Sequence, residues 1–330
     1  MLRAVRRLVA CAGLAAALAA CGEEAAGTGA QGGGAEVVAA TTQLADLARN
    51  VAGDRAEVRG LLDANTDPHD YEIRPSDLDD VAGADVVLRS GGDLDAWLAE
   101  GIESAGGSPE VVDLIDSVPA IEGEAGHHEG EAAHAGEEAG HAGEGLDPHW
   151  WQDPRNAMRA VSRIRDGLVA ADPAGADAYR ANAVRYAARL KALDAAVAAC
   201  IDAVPAARRK LVTTHDSLGY YARRYGIEVI GAVIPSLSTR GQPSAGETAA
   251  LVRTIRTEKV KAIFAESSVD PKVERAISRE SGARIGTPLY ADTLGPAGSD
   301  GDSYLKSIAA NTAALVDGFT DGAQTCDLPA

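Results

Sequence analysis

The chain has 330 residues, with 31 Lys+Arg against 49 Asp+Glu, 7 His and a formal net charge of −18. Such an acidic excess argues against nucleic acid as the main partner and against docking on an anionic membrane surface, because both need a basic face. At 46% hydrophobic but only 4% aromatic residues, the core must come mainly from Ala, Val, Leu and Ile, which is enough for a folded chain of about two domains.

Residues 1–21 read as an address. Arg3, Arg6 and Arg7 precede a short apolar run, Leu8 to Ala20, too short to span a bilayer comfortably. Leu18-Ala19-Ala20-Cys21 resembles a bacterial lipobox, which predicts a lipoprotein signal peptide over 1–21 with lipid on Cys21; the alternative is an ordinary secretory signal cut near Ala20. Residues 22–35 are Gly- and Ala-rich and fit a flexible tether. Of the 4 Cys, Cys11 leaves with the signal and Cys21 carries lipid. Cys200 and Cys326 remain, and in an oxidising compartment such a pair predicts a disulfide tying the C-terminal tail to an internal helix.

From Glu36 onward the chain alternates β-branched runs with helical patterns. Strand-like segments are predicted at Glu36–Thr41, Ala56–Leu62, Asp85–Leu88 and Glu110–Ile115, with helices at Leu44–Ala52, Pro75–Ala82 and Leu94–Glu103 between them. The second half repeats the rhythm: strands at Lys210–Thr214, Glu228–Val233, Ala262–Ala265 and Arg284–Pro288, helices at Leu218–Tyr225, Glu247–Glu258, Pro271–Ser281 and Tyr304–Asp317. This pattern predicts an α/β fold of parallel sheets flanked by helices. Between the halves, Asn156–Ala170 reads as a helix, and after Asp172-Pro173 a second one runs from about Ala174 to Ala203. Tyr179, Val184, Leu190, Leu193 and Val197 are its candidate packing positions. At 1.5 Å per residue this second helix spans about 40 Å, long enough to bridge two lobes. The expected organisation is an N-terminal lobe over 36–173, a linker helix over 174–203 and a C-terminal lobe over 204–330.

Residues 122–145 hold 7 Glu, 4 His, 7 Gly and 6 Ala and nothing else. No side chain there can pack a core, so a mobile loop is expected. His127, His128, His134 and His141 beside carboxylates make a weak, undiscriminating metal-collecting surface.

The other three histidines share one setting. His69 lies in Asp67-Pro68-His69, His149 in Asp147-Pro148-His149 and His215 in Thr214-His215-Asp216; Asp292 follows the last predicted strand. Each is expected at a turn near a strand end or helix start, where open α/β sheets bind ligands. Two come from each half, so facing lobes would bring all four into one cleft. Three imidazoles and a carboxylate suit four-coordinate Zn(II). Glu266 competes with Asp292 as the fourth ligand, and Asp70, Glu72 and Asp216 adjoin the histidines.

These segments together resemble the metal-specific substrate-binding proteins of bacterial ABC uptake transporters that carry zinc or manganese. The similarity rests on Pro-His-x-Tyr-Glu at 68–72, Asp-Pro-His-x-Trp-x-Asp-Pro at 147–154, Thr-His-Asp at 214–216 with Tyr220 and Tyr221 following, Pro-Ser-Ala at 243–245, Ile-Phe-x-Glu at 263–266 and Ala-Asp-Thr-Leu-Gly at 291–295. The resemblance implies metal ligands at His69, His149, His215 and Asp292, and two lobes joined by one rigid helix. Manganese members of the family tend to carry Glu at the third ligand position and zinc members His, so His215 and the His-rich insertion imply zinc. The expected function is an exported, lipid-anchored, monomeric Zn(II) receptor on the outer face of the cytoplasmic membrane (or in the periplasm). It would deliver zinc to a permease and its ATPase, with no catalysis and no nucleic acid. A manganese receptor of the same class is the alternative. A secreted zinc hydrolase, with Glu266 as base, lacks support from any His-Glu-x-x-His or Gly-x-Ser-x-Gly motif.

Overall fold

In the computed structural model, residues 34–122 and 145–329 are described. The signal and lipobox with Cys21, and the four clustered histidines, lie outside them.

The first half runs β1 (Glu36–Ala39), α1 (Thr42–Ala52), β2 (Glu57–Gly60), α2 (Pro75–Gly83), β3 (Val86–Arg89), α3 (Ala96–Ala105) and β4 (Glu110–Asp113). Its four strands form an all-parallel sheet in the order β2-β1-β3-β4. Period-2 alternation sorts the side chains. Val37, Ala39, Val86, Leu88 and Val112 pack into one core cluster, whereas Val38, Ala40 and Val87 pack with Val81 and Leu98 into another. Both faces are therefore covered, as a parallel sheet requires.

Two helices follow, α4 (Pro154–Ala171) and α5 (Ala176–Asp202). Asp153 caps α4 by accepting from the Arg155 N–H, and Pro154 occupies its first turn, a favoured helix start. At 27 residues, α5 is about 40 Å long. Its buried stripe is Tyr179, Ala183, Tyr186, Leu190, Leu193, Val197 and Ile201, a helical i, i+3/i+4 series. Val184, expected in the packing set, is 70% exposed. It sits one position past Ala183, which takes the inward place on that turn.

The second half runs β5 (Lys210–His215), α6 (Gly219–Tyr225), β6 (Glu228–Ile234), α7 (Ala245–Glu258), β7 (Ala262–Ile263), α8 (Lys272–Ser281), β8 (Arg284–Ile285) and α9 (Tyr304–Thr320). β5 pairs with β6 and β7 with β8, all parallel. A parallel bridge between Thr213 and Phe264, with Phe264 N–H donating to the Val212 carbonyl at 2.9 Å, joins the pairs in the order β6-β5-β7-β8. The predicted strand at Arg284–Pro288 shortens to two residues, after which the chain leaves the ladder and rejoins it only where Leu289 bridges Glu266.

The helix α5 touches both halves. Tyr186 Oη donates to Asp46 on α1 at 3.2 Å and Asn182 Nδ2 to the Val51 carbonyl at 2.9 Å, while Asp194 accepts two bonds from Arg224 on α6. Near its end, Cys200 is disulfide-bonded to Cys326, with Cα atoms 6.1 Å apart. One apolar cluster runs from the first sheet through α4 and α5 to Phe264, Leu315 and Phe319 of the second half. Among the described residues no helix is long and apolar enough to cross a membrane.

Candidate metal centre

The two Asp-Pro-His segments fold into the same turn. Asp67 Oδ1 accepts the His69 N–H at 2.9 Å, and Asp147 Oδ1 accepts the His149 N–H at 2.9 Å. An aspartate side chain bonding the backbone two residues on is the Asx turn, and the intervening proline fixes its φ. The repeated motif is thus a device for aiming a histidine. Asp67 Oδ2 also accepts from the Thr239 hydroxyl at 2.7 Å, which ties the His69 turn to the second half.

His215 is the last residue of β5, and Glu266 follows β7 on the neighbouring strand. That adjacency sets the Glu266 Oε1 atom 2.7 Å from His215 Nδ1 and lets it accept the His215 N–H at 3.1 Å. Asp292 lies on the loop after Leu289. α9 holds this loop, since Asn311 accepts from Tyr290 N–H and donates to its carbonyl, both at 2.8 Å. From the first half, Gln43, Trp151 and Gln152 all donate to the Ala291 carbonyl, at 3.3, 3.1 and 2.9 Å. No residue pattern signals that clasp, because its acceptor is a main-chain oxygen.

These elements bring His69, His149, His215 and Asp292 together, all buried, with one candidate ligand atom from each lying within 4.8 Å of the others. The Asp292 carboxylate sits 3.3 Å from His69 Nε2, 3.4 Å from His149 Nε2 and 3.1 Å from His215 Nε2. The two Nε2 atoms of His149 and His215 are 3.3 Å apart. Glu266 stands behind His215, on its Nδ1 side, and Asp147 stands behind His149 in the same way, 2.7 Å from Nδ1. Asp70 is exposed, paired with Arg240 at 3.3 Å.

The hydrogen bonds dictate the tautomers. With Asp147 and Glu266 accepting at Nδ1, His149 and His215 in their neutral forms carry the proton there and turn bare Nε2 lone pairs towards each other. His69 Nε2 and both Asp292 oxygens have no hydrogen-bond partner among the described residues. Lone pairs and a carboxylate converging on one buried point repel unless a cation or protons lie between them. The titration directions express that. Burial is the largest influence on His149 and His215 and opposes their charge. Asp292 and Asp147 outweigh it at His149, and Glu266 and Asp292 outweigh it at His215, so both are raised above the ordinary 6.5, His215 strongly. Burial also opposes ionisation of Asp292, and the surrounding histidines still hold it well below the usual carboxylate range.

The chain is 31% identical over 304 residues to the manganese-binding lipoprotein MntA of Halalkalibacterium halodurans, covering 92% of this chain and 94% of the relative. It is 30% identical to the iron-binding protein YfeA of Yersinia pestis, covering 86% of each. Among solved structures, the periplasmic zinc-binding protein TroA of Treponema pallidum superposes with a TM-score of 0.75 at 28% identity, over 87% of this chain and 99% of that one. The model of the family described as "Zinc-uptake complex component A periplasmic" (ZnuA) matches residues 37–318. The chain therefore belongs to the ZnuA family of metal-binding substrate-binding proteins of ABC transporters, which bind and deliver rather than catalyse.

Proposed function

We propose that the protein is an extracytoplasmic Zn(II) receptor in which His69, His149, His215 and Asp292 are the four ligands and from which an ABC permease, driven by its ATPase, takes the ion. The observation that carries this is the convergence of the His69, His149 and His215 Nε2 atoms and the Asp292 carboxylate on one buried point. A tetrahedral centre with metal–nitrogen bonds of 2.0–2.1 Å has ligand–ligand edges of about 3.3 Å. His149 Nε2 and His215 Nε2 are 3.3 Å apart, and Asp292 Oδ2 lies 3.3 Å from His69 Nε2 and 3.1 Å from His215 Nε2, close to such edges, while His149 Nε2 is 3.4 Å from the other carboxylate oxygen; one atom from each of the four residues falls within 4.8 Å of the rest. Asp292, rather than Glu266, completes the shell in this reading, because Glu266 is engaged with the far nitrogen of His215.

Zinc is favoured by the donor set. Three imidazoles and one carboxylate in a closed four-atom arrangement suit Zn(II), whereas Mn(II) takes more oxygen donors and higher coordination. The second reading, a manganese receptor, draws on the names of relatives such as MntA and the manganese substrate-binding lipoprotein PsaA of Streptococcus pneumoniae. Because Zn(II) binds more tightly than Mn(II) at nearly any nitrogen and oxygen site, the two readings are separated by cellular uptake of each metal with and without the protein rather than by competition in solution. The zinc reading expects loss of the protein to abolish uptake at low zinc and leave manganese uptake unchanged, and loss of manganese uptake with zinc uptake intact refutes it.

The lipobox supports tethering through Cys21 on the outer face of the cytoplasmic membrane, as a monomer. The His-rich tract 122–145 is proposed as a weak collector that feeds the centre. Unchanged uptake at low zinc after its deletion would remove that role.

A further inference from the structure

A cavity of about 250 Å³ opens between the halves, walled by Pro119–Ile121, the start of α4 and one side of α6. Four arginines line it, Arg155, Arg159, Arg223 and Arg224, in a chain of net charge −18. Two are neutralised: Arg155 pairs with Asp153 at 2.7 Å and Arg224 with Asp194 at 2.8 Å. The other two are not. Arg159 reaches only Asn156 Oδ1 at 3.1 Å and the Arg155 carbonyl at 3.5 Å, and Arg223 has no carboxylate partner among the described residues. The wall between them is rigid, because Tyr220 Oη donates to the Asp147 carbonyl and accepts from Ile121 N–H, both at 3.0 Å.

We propose that this cavity binds a small polyvalent oxyanion, a dicarboxylate or a phosphate, gripped by the Arg159 and Arg223 guanidinium groups. Like-charged guanidinium groups gathered at a concave surface leave a positive potential that an oxyanion relieves. The planar fork of each arginine matches carboxylate and phosphate geometry. A concavity of this volume, walled by both halves and just below the usual range for drug-sized ligands, suits a small anion rather than a flat protein interface. The metal ligands take no part, so the proposal stands or falls independently of the zinc reading.

Isothermal titration calorimetry on the metal-free full chain, at ionic strength held constant with NaCl, tests this with inorganic phosphate and succinate in separate arms. Saturable one-to-one binding of at least one anion is expected, weakened at least about tenfold in Arg159→Ala/Arg223→Ala and retained in Lys259→Ala/Lys261→Ala, which removes equal charge elsewhere. The arm that saturates distinguishes phosphate from carboxylate. Both arginines are exposed, so the variant should melt at the wild-type temperature in the absence of anion. If it does not, Arg159→Gln/Arg223→Gln takes its place. Absence of saturable binding in both arms, or equal affinity in the double variant, overturns the proposal.

Discussion

His149 and His215 point their Nε2 atoms at each other across 3.3 Å, each with a carboxylate 2.7 Å behind it on Nδ1. Two neutral imidazoles so oriented cannot hydrogen-bond to one another. The arrangement makes sense around a cation, and its consequences can be measured.

The carboxylates behind the imidazoles are positioning groups. Glu266→Gln or Asp147→Asn keeps shape but weakens the hold on the tautomer and the basicity of the ring. Partners of this kind are worth about 10–100-fold in metal affinity. Loss within that range, without loss of stoichiometry, is expected by competition with a chelating dye. An unchanged affinity for both variants would mean that these carboxylates do not tune the ligands.

Proton and metal compete for the same lone pairs. In the metal-free protein, His149 and His215 have raised pKa values. Their contribution to stability is fully present below about pH 6.5 and is lost as pH rises through the folded values. Asp292 is held low, so its contribution is present above about pH 3.9 and is lost only as pH falls through its folded value. Zinc replaces the protons and removes this dependence. The rise in melting temperature on adding zinc should therefore be larger at about pH 8 than at about pH 6. A rise that is equal at both, or larger at the lower pH, would count against the linkage.

The clasp on the Ala291 carbonyl holds Asp292 in register with the histidines. Gln152→Ala removes its shortest bond, 2.9 Å, and leaves a buried carbonyl with two donors. Stability should fall by about 1 kcal/mol, and zinc dissociation should quicken because Asp292, the proposed fourth ligand, is less well placed. Stopped-flow release into excess chelator reads this. A variant with wild-type release would show the clasp to be structural only.

The Cys200–Cys326 bond closes a loop of sequence separation 126. Replacing both cysteines by serine should cost about 2–5 kcal/mol, seen in denaturant unfolding, with zinc stoichiometry unchanged. The metal centre lies on other elements.

Much of this was legible in the sequence, and the gaps are instructive. The Asp-Pro-His repeat announced two equivalent turns because aspartate and proline act locally. The contact of Glu266 with His215 Nδ1 could not be read, since it depends on β5 and β7 being neighbours, which the Thr213–Phe264 bridge establishes. On α5, Val184 looked like a packing residue by type, yet Ala183 faces inward, because the phase of the stripe is set by partners on α1 and α4. The arginine cavity draws on three distant segments, and no local pattern announces it.

In the proposed receptor, one buried His3Asp centre holds the metal. Native mass spectrometry of the chain lacking residues 123–144, which removes the clustered histidines, tests it most directly when run beside His149→Ala and His215→Ala in the same background. One zinc per chain is expected to survive dilution in the parent and none in either variant, with both variants still folded. One tightly held zinc in both variants would contradict it.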